Sequence, residues 1–383
     1  MGDNMDKKAL IVTNLAGFAS FLYNDFDILQ NMGYEIVYAS NGNMFQWEDT
    51  RKEIEKRNIP FCQIDFDSKN PLGKQNFIAY KQIKKLIEEN DFQLIHCHTS
   101  ISGFITKLAA RKARKKGAKV IYTSHGFTFT SKSSKKTWLI YYTFEKIASV
   151  FCDAIVTINS EDCNNAKKMW CKNVYKINGV GVDTKRFHDV TVDKQSYRNS
   201  IGVDDDKLMV LGVGELSDRK NHQIIIKALS ALENKDYYEY VICGGGVGNG
   251  STGEMLKNMA KENGVNLKLL GFRHDIPEIT KISDIGVLPS RREGLGLAGV
   301  QCLCAGVPVI GSDVQGIKDY VIDGVNGYLC DSENADEFAE AITKLTDKSH
   351  RETLSKNCYE SVKKFDKAVS YEQLEKIYKA VLS

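Results

Sequence analysis

The stretch Asp284–Gly316, DIGVLPSRREGLGLAGVQCLCAGVPVIGSDVQG, decides how the rest of this 383-residue chain is read. Asp284–Pro289 has the continuous apolar character of a short buried strand, and Gly294-Leu295-Gly296-Leu297 is a glycine-rich turn opening a helix that ends near Cys304. Val307–Ile310 is the next strand. A strand, a glycine turn and a helix start bring backbone N–H groups and the positive end of a helix dipole beside one acidic side chain, Glu293. That combination suits a phosphorylated ligand held next to a carboxylate.

Outward from this stretch the alternation of strand and helix continues. Upstream lie Leu208–Val213, Tyr240–Gly244 and Leu267–Leu270, the strands that join Ile285–Pro289 and Val307–Ile310 in one series. An earlier series runs Lys8–Thr13, Tyr34–Ala39, Phe61–Asp65, Leu94–His98, Lys119–Thr123 and Ala154–Ile158, with helices expected at Asp49–Arg57, Asn76–Glu89, Ile101–Lys115 and Lys136–Val150. Such alternation argues for α/β architecture with doubly wound parallel sheets, whose ligands sit at the carboxyl ends of strands. Asn14–Phe18, His96–Ser102 and His125–Thr128 are then expected to line one crevice edge. The glycine-spaced Tyr175–Asp183 reads as a linker between the two series, and the chain is helical from Glu337 to a last short helix at Tyr371–Leu382.

Composition fits two ordinary globular domains, at 42% hydrophobic and 26% charged. The start, MGDNMDKKALIVTN, passes from a polar lead into an apolar strand without a signal-type apolar region, and no apolar run approaches the roughly 18 residues that span a bilayer. A cytoplasmic location is the expectation. Ten cysteines include no C-x-x-C pair, and Cys97, Cys152 and Cys243 fall inside apolar runs, so reduced core thiols are expected. The net charge of +3 is unevenly shared: residues 1–185 hold 27 Lys/Arg against 19 Asp/Glu, about +8, and the remainder 25 against 30, about −5.

Several side chains could carry chemistry. Arg219 and Lys220 sit together between a strand and a helix, where Arg binds a diphosphate as a bidentate fork and Lys as a point charge; alone they would read as a solvated loop pair. Glu293 follows two arginines and could simply pair with Arg291 or Arg292. His125 ends a strand and is followed by Gly126, which lets backbone approach a ligand. His96 and His98 alternate on one strand and face the same side, the arrangement of a metal pair, but no third ligand is spaced to complete it. Gly248–Gly253 satisfies G-x-G-x-x-G, yet its strand stops near Cys243 and no acidic ribose partner is evident, which argues against NAD. Asp204-Asp205-Asp206 contains an Asp-x-Asp in a polar turn. Residues 111–144 combine a basic run, Arg111 to Lys116 with Lys132, Lys135 and Lys136, with the aromatic Trp138–Phe144. This is either a solvated helix end or a peripheral surface for anionic lipid headgroups. Nucleic acid is disfavoured, because the charge is local and the other half is acidic.

At these residues the chain resembles the family-4 (GT4) retaining glycosyltransferases of the GT-B fold, over nearly its whole length. The family signature holds a carboxylate and a second acidic residue with seven residues between them; here the first is Glu293 and the second position is Gln301, two helical turns further on and so expected near the same helix face. The resemblance implies two Rossmann-like domains facing across a cleft, residues 1–184 for the acceptor and 185–365 for the donor, with 366–383 a helix returning to the first domain. It implies that Arg219 and Lys220 stabilise the departing diphosphate and that Glu293 and His125 orient the donor sugar. The amides of Leu295, Gly296 and Leu297 would hold sugar and phosphate, and Gln301 would meet the ribose, where an amide accepts one hydrogen bond and donates another. Arg273 and Ile276, in Gly271–Pro277, would meet the base. Gly17, Gly214 and Gly244 complete the donor set, with Gly244–Gly253 a loop bordering the phosphates. His98, alternatively a structural hydrogen-bonding group, and Phe127 are acceptor-side candidates. The implied reaction moves a hexose or N-acetylhexosamine from a UDP-sugar to a polyprenyl-diphosphate-linked saccharide with retention, using no metal and no cofactor. His125-Gly126-Phe127 and Asn178–Asp183 are most similar to bacterial enzymes of exopolysaccharide and capsule assembly. A sugar-nucleotide epimerase, a noncatalytic nucleotide-sugar-binding subunit prompted by Gln301, and a dehydrogenase are the competing readings.

Overall fold

The computed structural model describes residues 7–43, 47–68, 70–245 and 251–383. It divides into two compact units, Met1–Gly181 with Lys367–Ser383, and Val182–Asp366. The first carries seven parallel strands: β1 (Lys7–Val12), β2 (Tyr34–Ser40), β3 (Phe61–Gln63), β4 (Leu94–His98), β5 (Lys119–Ser124), β6 (Ala154–Thr157) and β7 (Asn173–Lys176). Their order is β3-β2-β1-β4-β5-β6-β7. The second carries six: β8 (Leu208–Val213), β9 (Tyr238–Cys243), β10 (Asn266–Gly271), β11 (Ile285–Leu288), β12 (Val309–Ser312) and β13 (Gly327–Cys330), in the order β10-β9-β8-β11-β12-β13. Both sheets therefore reverse strand order beside their first strand, between β1 and β4 and between β8 and β11.

The central strands are apolar because both of their faces are covered. In β8, Leu208 and Val210 join the larger core of the second unit, while the alternating Met209 and Leu211 join a smaller core on the other face. Two strands escaped the sequence reading. β7 occupies the start of the stretch taken as a linker, and β13 is a four-residue edge strand with no alternation to reveal it. The helix expected over Ile101–Lys115 ends at Ala109, and a separate turn of helix carries the basic Arg111–Lys115, whose like charges fall three and four residues apart.

The boundary falls after Gly181 rather than at 184. The Val182 N–H donates to the carbonyl of Phe365, which ties this residue to the second unit. Gly181 has φ +90°, and a Cβ there would lie 2.6 Å from the Cα of Lys367, so the chain can pass here only as glycine. The final helix, Lys367–Leu382, belongs to the first unit, where it packs on the helix Tyr23–Asn31 and buries Leu374, Ile377 and Tyr378.

Candidate active site

In the second unit β8 and β11 are parallel neighbours, so the loops that follow them meet at the reversal of strand order. The Arg291 N–H donates to the Arg219 carbonyl at 2.9 Å, stitching the loops together. Their side chains converge on one oxygen: Glu293 Oε1 accepts from Lys220 Nζ at 2.6 Å, Ser290 Oγ at 2.9 Å and Arg219 Nη1 at 3.2 Å. Glu293 is 7% exposed. Burial alone would raise its pKa, but the Lys220 and Arg219 charges and the hydrogen bonds outweigh it and hold the carboxyl below its ordinary value. Arg219 is shared with Glu215 at 2.8 Å, and Arg291 pairs with Glu333 instead of Glu293.

The turn after Glu293 closes at Gly296, with φ +79°, immediately before the helix Leu297–Cys304. A side chain there would be strained and would crowd Leu288 Cδ2 at 3.0 Å and the Tyr320 hydroxyl at 3.1 Å. Leu295 is buried, so its side chain is a packing group and its backbone is what remains for a ligand. The expectation that Glu293 and Gln301 share a helix face is corrected: Glu293 precedes the helix, because the left-handed Gly296 intervenes, and Gln301 lies one turn inside it.

Gly214 and Gly244 directly follow β8 and β9, in such close approach that a Cβ on Gly244 would fall 1.7 Å from the Gly214 carbonyl oxygen. Gly248, Asn249 and Gly250 lie outside the described residues, and Ser251 already begins a helix. Arg273 is held by Asp275, whose carboxyl it keeps down at about 2 and which Tyr197 also contacts; Ile276 starts the next short helix. Asp204–Asp206 precede β8, at the opposite end of the sheet from Glu293.

The first unit has its own polar centre, at the carboxyl end of β4. His98 Nδ1 meets His125 Nε2 at 3.1 Å, and the Phe18 ring stands edge-on to His125, centroids 4.7 Å apart. Behind them, the Tyr378 hydroxyl donates to Asp25 Oδ1 at 2.8 Å and meets His96 Nδ1 at 2.7 Å, while His96 Nε2 meets the Thr123 hydroxyl at 2.8 Å. Asp25, His96 and His98 present ligand atoms within 4.8 Å of one another, the third group that the sequence did not reveal. The Tyr378 hydroxyl already engages the facing atoms of Asp25 and His96, while His98 Nε2 is buried with no hydrogen-bond partner among the described residues. Burial pushes His96 and His125 down to about 3, lowers His98 well below its ordinary value with help from both neighbouring imidazoles, and raises Asp25 to about 7 against the Tyr378 bond.

Of the acceptor-side candidates, His98 is buried, with its Nδ1 turned toward His125. Phe127 is fully buried, stacked on Phe129 with centroids 4.7 Å apart, so its side chain is core and not a contact surface. Gly17 lies in the 3-10 turn Ala16–Phe21 that also presents Phe18. Each centre is followed by a non-glycine residue with positive φ, Thr99 at +64° and Asn221 at +55°. Such strain is retained where the surrounding structure fixes an unusual path.

The helix Lys135–Ala148 is anchored inward by the buried Lys107–Glu145 pair at 2.9 Å and by the Tyr122 hydroxyl on Glu145 at 3.0 Å. Its outer face exposes Leu139, Ile140, Tyr141, Phe144 and Ile147, with Val150 and Trp170 nearby and Lys146 over the Trp170 ring. Among the described residues no helix is long and apolar enough to cross a membrane.

Sequence reasoning missed Asp25, Tyr378, Ser290 and Glu215. Ser290 and Glu215 lie beside residues already singled out, and proximity could have found them. Asp25 and Tyr378 stand 353 positions apart, and no local pattern links them.

Two family models match, "Glycosyl transferases group 1" over residues 193–364 and "Glycosyl transferase 4-like" over residues 16–159. The protein EpsD of Bacillus subtilis (strain 168) is 32% identical over 99% of this chain and 98% of its own length. An Escherichia coli UDP-Gal:alpha-D-GlcNAc-diphosphoundecaprenol alpha-1,3-galactosyltransferase is 30% identical, over 72% of this chain and 71% of that protein. Among solved structures, Anabaena Alr3699/HepE superposes with a TM-score of 0.79 at 19% identity, covering 98% of this chain and all of that one. With matched models over both units, a relative aligned end to end and the same two-sheet architecture, this chain belongs to the family-4 glycosyltransferases of the GT-B fold.

Proposed function

We propose that this glycosyltransferase moves a hexose or N-acetylhexosamine from a UDP-sugar to a lipid-linked saccharide in bacterial polysaccharide assembly, with retention of anomeric configuration and without a metal. The observation that carries this is the convergence of Lys220 and Arg219 on Glu293 at 2.6 and 3.2 Å, beside a glycine turn and a helix start. Two cations fixed by a buried carboxylate are already partly desolvated and oriented, so they can stabilise charge developing on a departing diphosphate with little reorganisation. Glu293, kept ionised, is suited to accept hydrogen bonds from sugar hydroxyls, and the family resemblance gives His125 a donor-sugar role as well. The diphosphoundecaprenol acceptor and UDP-galactose donor named for the E. coli relative support the class of both substrates.

A lipid-linked acceptor calls for a membrane-facing surface. The exposed face of Lys135–Ala148, flanked by the exposed Arg111, Lys112, Lys115, Lys116, Lys135 and Lys136, offers apolar side chains ringed by cations, the chemistry that anionic headgroups attract. Sedimentation with phosphatidylglycerol vesicles but not phosphatidylcholine vesicles, weakened by Leu139→Asp with Phe144→Asp, is the expected result.

The deciding experiment measures nucleoside diphosphate release from UDP-, GDP- and ADP-sugars with and without a bacterial membrane lipid extract, for wild type and Glu293→Ala. Acceptor-dependent UDP release lost in Glu293→Ala is expected. Tight UDP-sugar binding without release under any condition would instead favour a noncatalytic binding subunit, the reading that Gln301 prompts.

A further inference from the structure

The polar centre of the first unit fixes where its protons sit. Tyr378 has one hydroxyl proton and donates it to Asp25, so at the 2.7 Å contact His96 must be the donor, through Nδ1–H. His96 Nε2 is then a lone pair that accepts from the Thr123 hydroxyl, and every polar atom of that ring is satisfied. At the 3.1 Å contact between His98 Nδ1 and His125 Nε2, only one nitrogen can carry the proton of two neutral rings. The choice is made at the far side of His98. Its Nε2 is buried, has no hydrogen-bond partner among the described residues, and lies 4.0 Å from Asp25 Oδ1. An N–H aimed at a carboxylate oxygen is attracted, whereas a lone pair there faces like charge.

We propose that Asp25 and His98 are positioning residues that fix the tautomer of His125: His98 carries its proton on Nε2, toward Asp25, and accepts at Nδ1 from His125 Nε2–H. His125 is left with a bare Nδ1, which has no hydrogen-bond partner among the described residues and so presents a lone pair to a substrate hydroxyl. The burial that keeps all three rings neutral is what makes the arrangement a matter of tautomer and not of charge. The last helix takes part through Tyr378, whose hydroxyl holds the Asp25 carboxylate in place. The inference rests on the reading that His125 contacts the donor sugar, but it can be tested apart from that reading.

The test is long-range 1H–15N NMR of the full chain, labelled at histidine nitrogens, together with steady-state kinetics. In wild type the His125 signals should show a protonated Nε2 and an unprotonated Nδ1. In Asp25→Asn the amide can donate to His98 Nε2, so both rings should switch and His125 should become Nδ1–H. The kcat should then fall roughly 10- to 100-fold, the size of one lost hydrogen bond in the transition state, while affinity for UDP stays unchanged. Thr123→Val, which removes a contact of the same cluster, should leave the His125 tautomer as it is. Should Asp25→Asn fail to fold, His98→Gln serves, since its amide can donate or accept and should leave His125 a mixture of tautomers. A wild-type His125 protonated at Nδ1, or a tautomer unmoved by Asp25→Asn or His98→Gln, would overturn the proposal. So would one equivalent of zinc retained by the purified chain and lost in Asp25→Asn, which would give the cluster to an ion. If the tautomer switches but kcat does not change, the positioning stands and the sugar-contact role of His125 is what fails.

Discussion

Two sheets of the same winding each bury a polar centre near the carboxyl ends of their strands, and the two centres are held by opposite means. In the second unit Glu293 stays ionised because two cations lie within 3.2 Å of it. In the first unit His96, His98 and His125 stay neutral because burial outweighs everything else, and Asp25 is drawn toward its protonated form. The difference teaches where each centre is vulnerable. An ion-paired centre fails when a charge is removed and tolerates modest changes of pH. A neutral centre fails when a proton moves to the wrong nitrogen.

Removing the charge in the second unit therefore gives the largest effect. Glu293→Gln keeps the shape and an accepting oxygen but removes the negative charge that Lys220 and Arg219 face. Activity should fall roughly 10²- to 10³-fold, as for loss of one preorganised electrostatic contact. Steady-state UDP release measures it, and a loss under tenfold would break the comparison by showing that the charge is not what the centre supplies.

Acid separates the two centres next. The buried His96 and the half-buried His125, with pKa values near 3, contribute stability above the unfolded histidine value of 6.5 and lose it as pH falls from there toward 3. Asp25 works the other way: raised to about 7, it contributes stability that is full below its unfolded value of 3.8 and is lost as pH rises through 7. Between pH 6.5 and 5 two histidines lose and one aspartate gains, at roughly 1.4 kcal/mol per pH unit each. The net loss is about 2 kcal/mol, and His98 adds in the same direction. Glu293, with a lowered pKa, contributes nothing over this window, because its stabilisation is lost only below its unfolded value of 4.5. Urea unfolding of wild type at the two pH values should show the loss, and Asp25→Asn, which removes the opposing gain, should roughly double it. Hydrogen exchange should place the weakening in β4 and β5 and not in β8 and β11; equal weakening of both sheets would refute the contrast.

A smaller effect probes the turn that the ionised centre depends on. Gly296→Ala places an L side chain at φ +79° and against Leu288 and the Tyr320 hydroxyl, which should cost about 1 to 2 kcal/mol in unfolding free energy. Thermal melting would record it. An unchanged melting temperature would mean that the turn relaxes freely.

The two centres also differ in how far they could be read from sequence. The ionised one was nearly all legible, since Arg219 and Lys220 follow one strand, Glu293 follows another, and the doubly wound pattern predicts that such loops meet. What escaped was its inner geometry: the left-handed Gly296 ends the continuity that would have put Glu293 and Gln301 on one helix face. The neutral centre was legible only as isolated histidines. Its remaining members come from Tyr23–Asn31 and from Lys367–Leu382, helices whose amphipathic patterns say which face is buried but not which buried face opposes which. β7 and β13 escaped for a related reason, because a four-residue edge strand has too few positions to establish a period.

Gln301 gives the smallest effect and the finest test of how ionised the second centre is. It lies one turn inside the helix that starts at Leu297, half-buried, and its amide has no hydrogen-bond partner among the described residues. An amide there offers one acceptor to a ribose hydroxyl, where a carboxylate would offer two oxygens with full charge. If the ribose binds at this point, Gln301→Glu should strengthen donor binding, lowering the KM for the UDP-sugar about two- to tenfold, within the range of one charge-assisted hydrogen bond. The opposing effect is a second carboxylate in a site whose cations are already engaged by Glu293, and at low ionic strength that repulsion would raise Glu293 toward protonation. Measuring KM and kcat at two salt concentrations separates the two. A KM that falls with kcat unchanged would mean that the glutamine weakens the ribose contact without touching the reacting centre. A kcat that falls, and recovers with salt, would mean that the second unit's centre is balanced to hold one ionised carboxylate and no more.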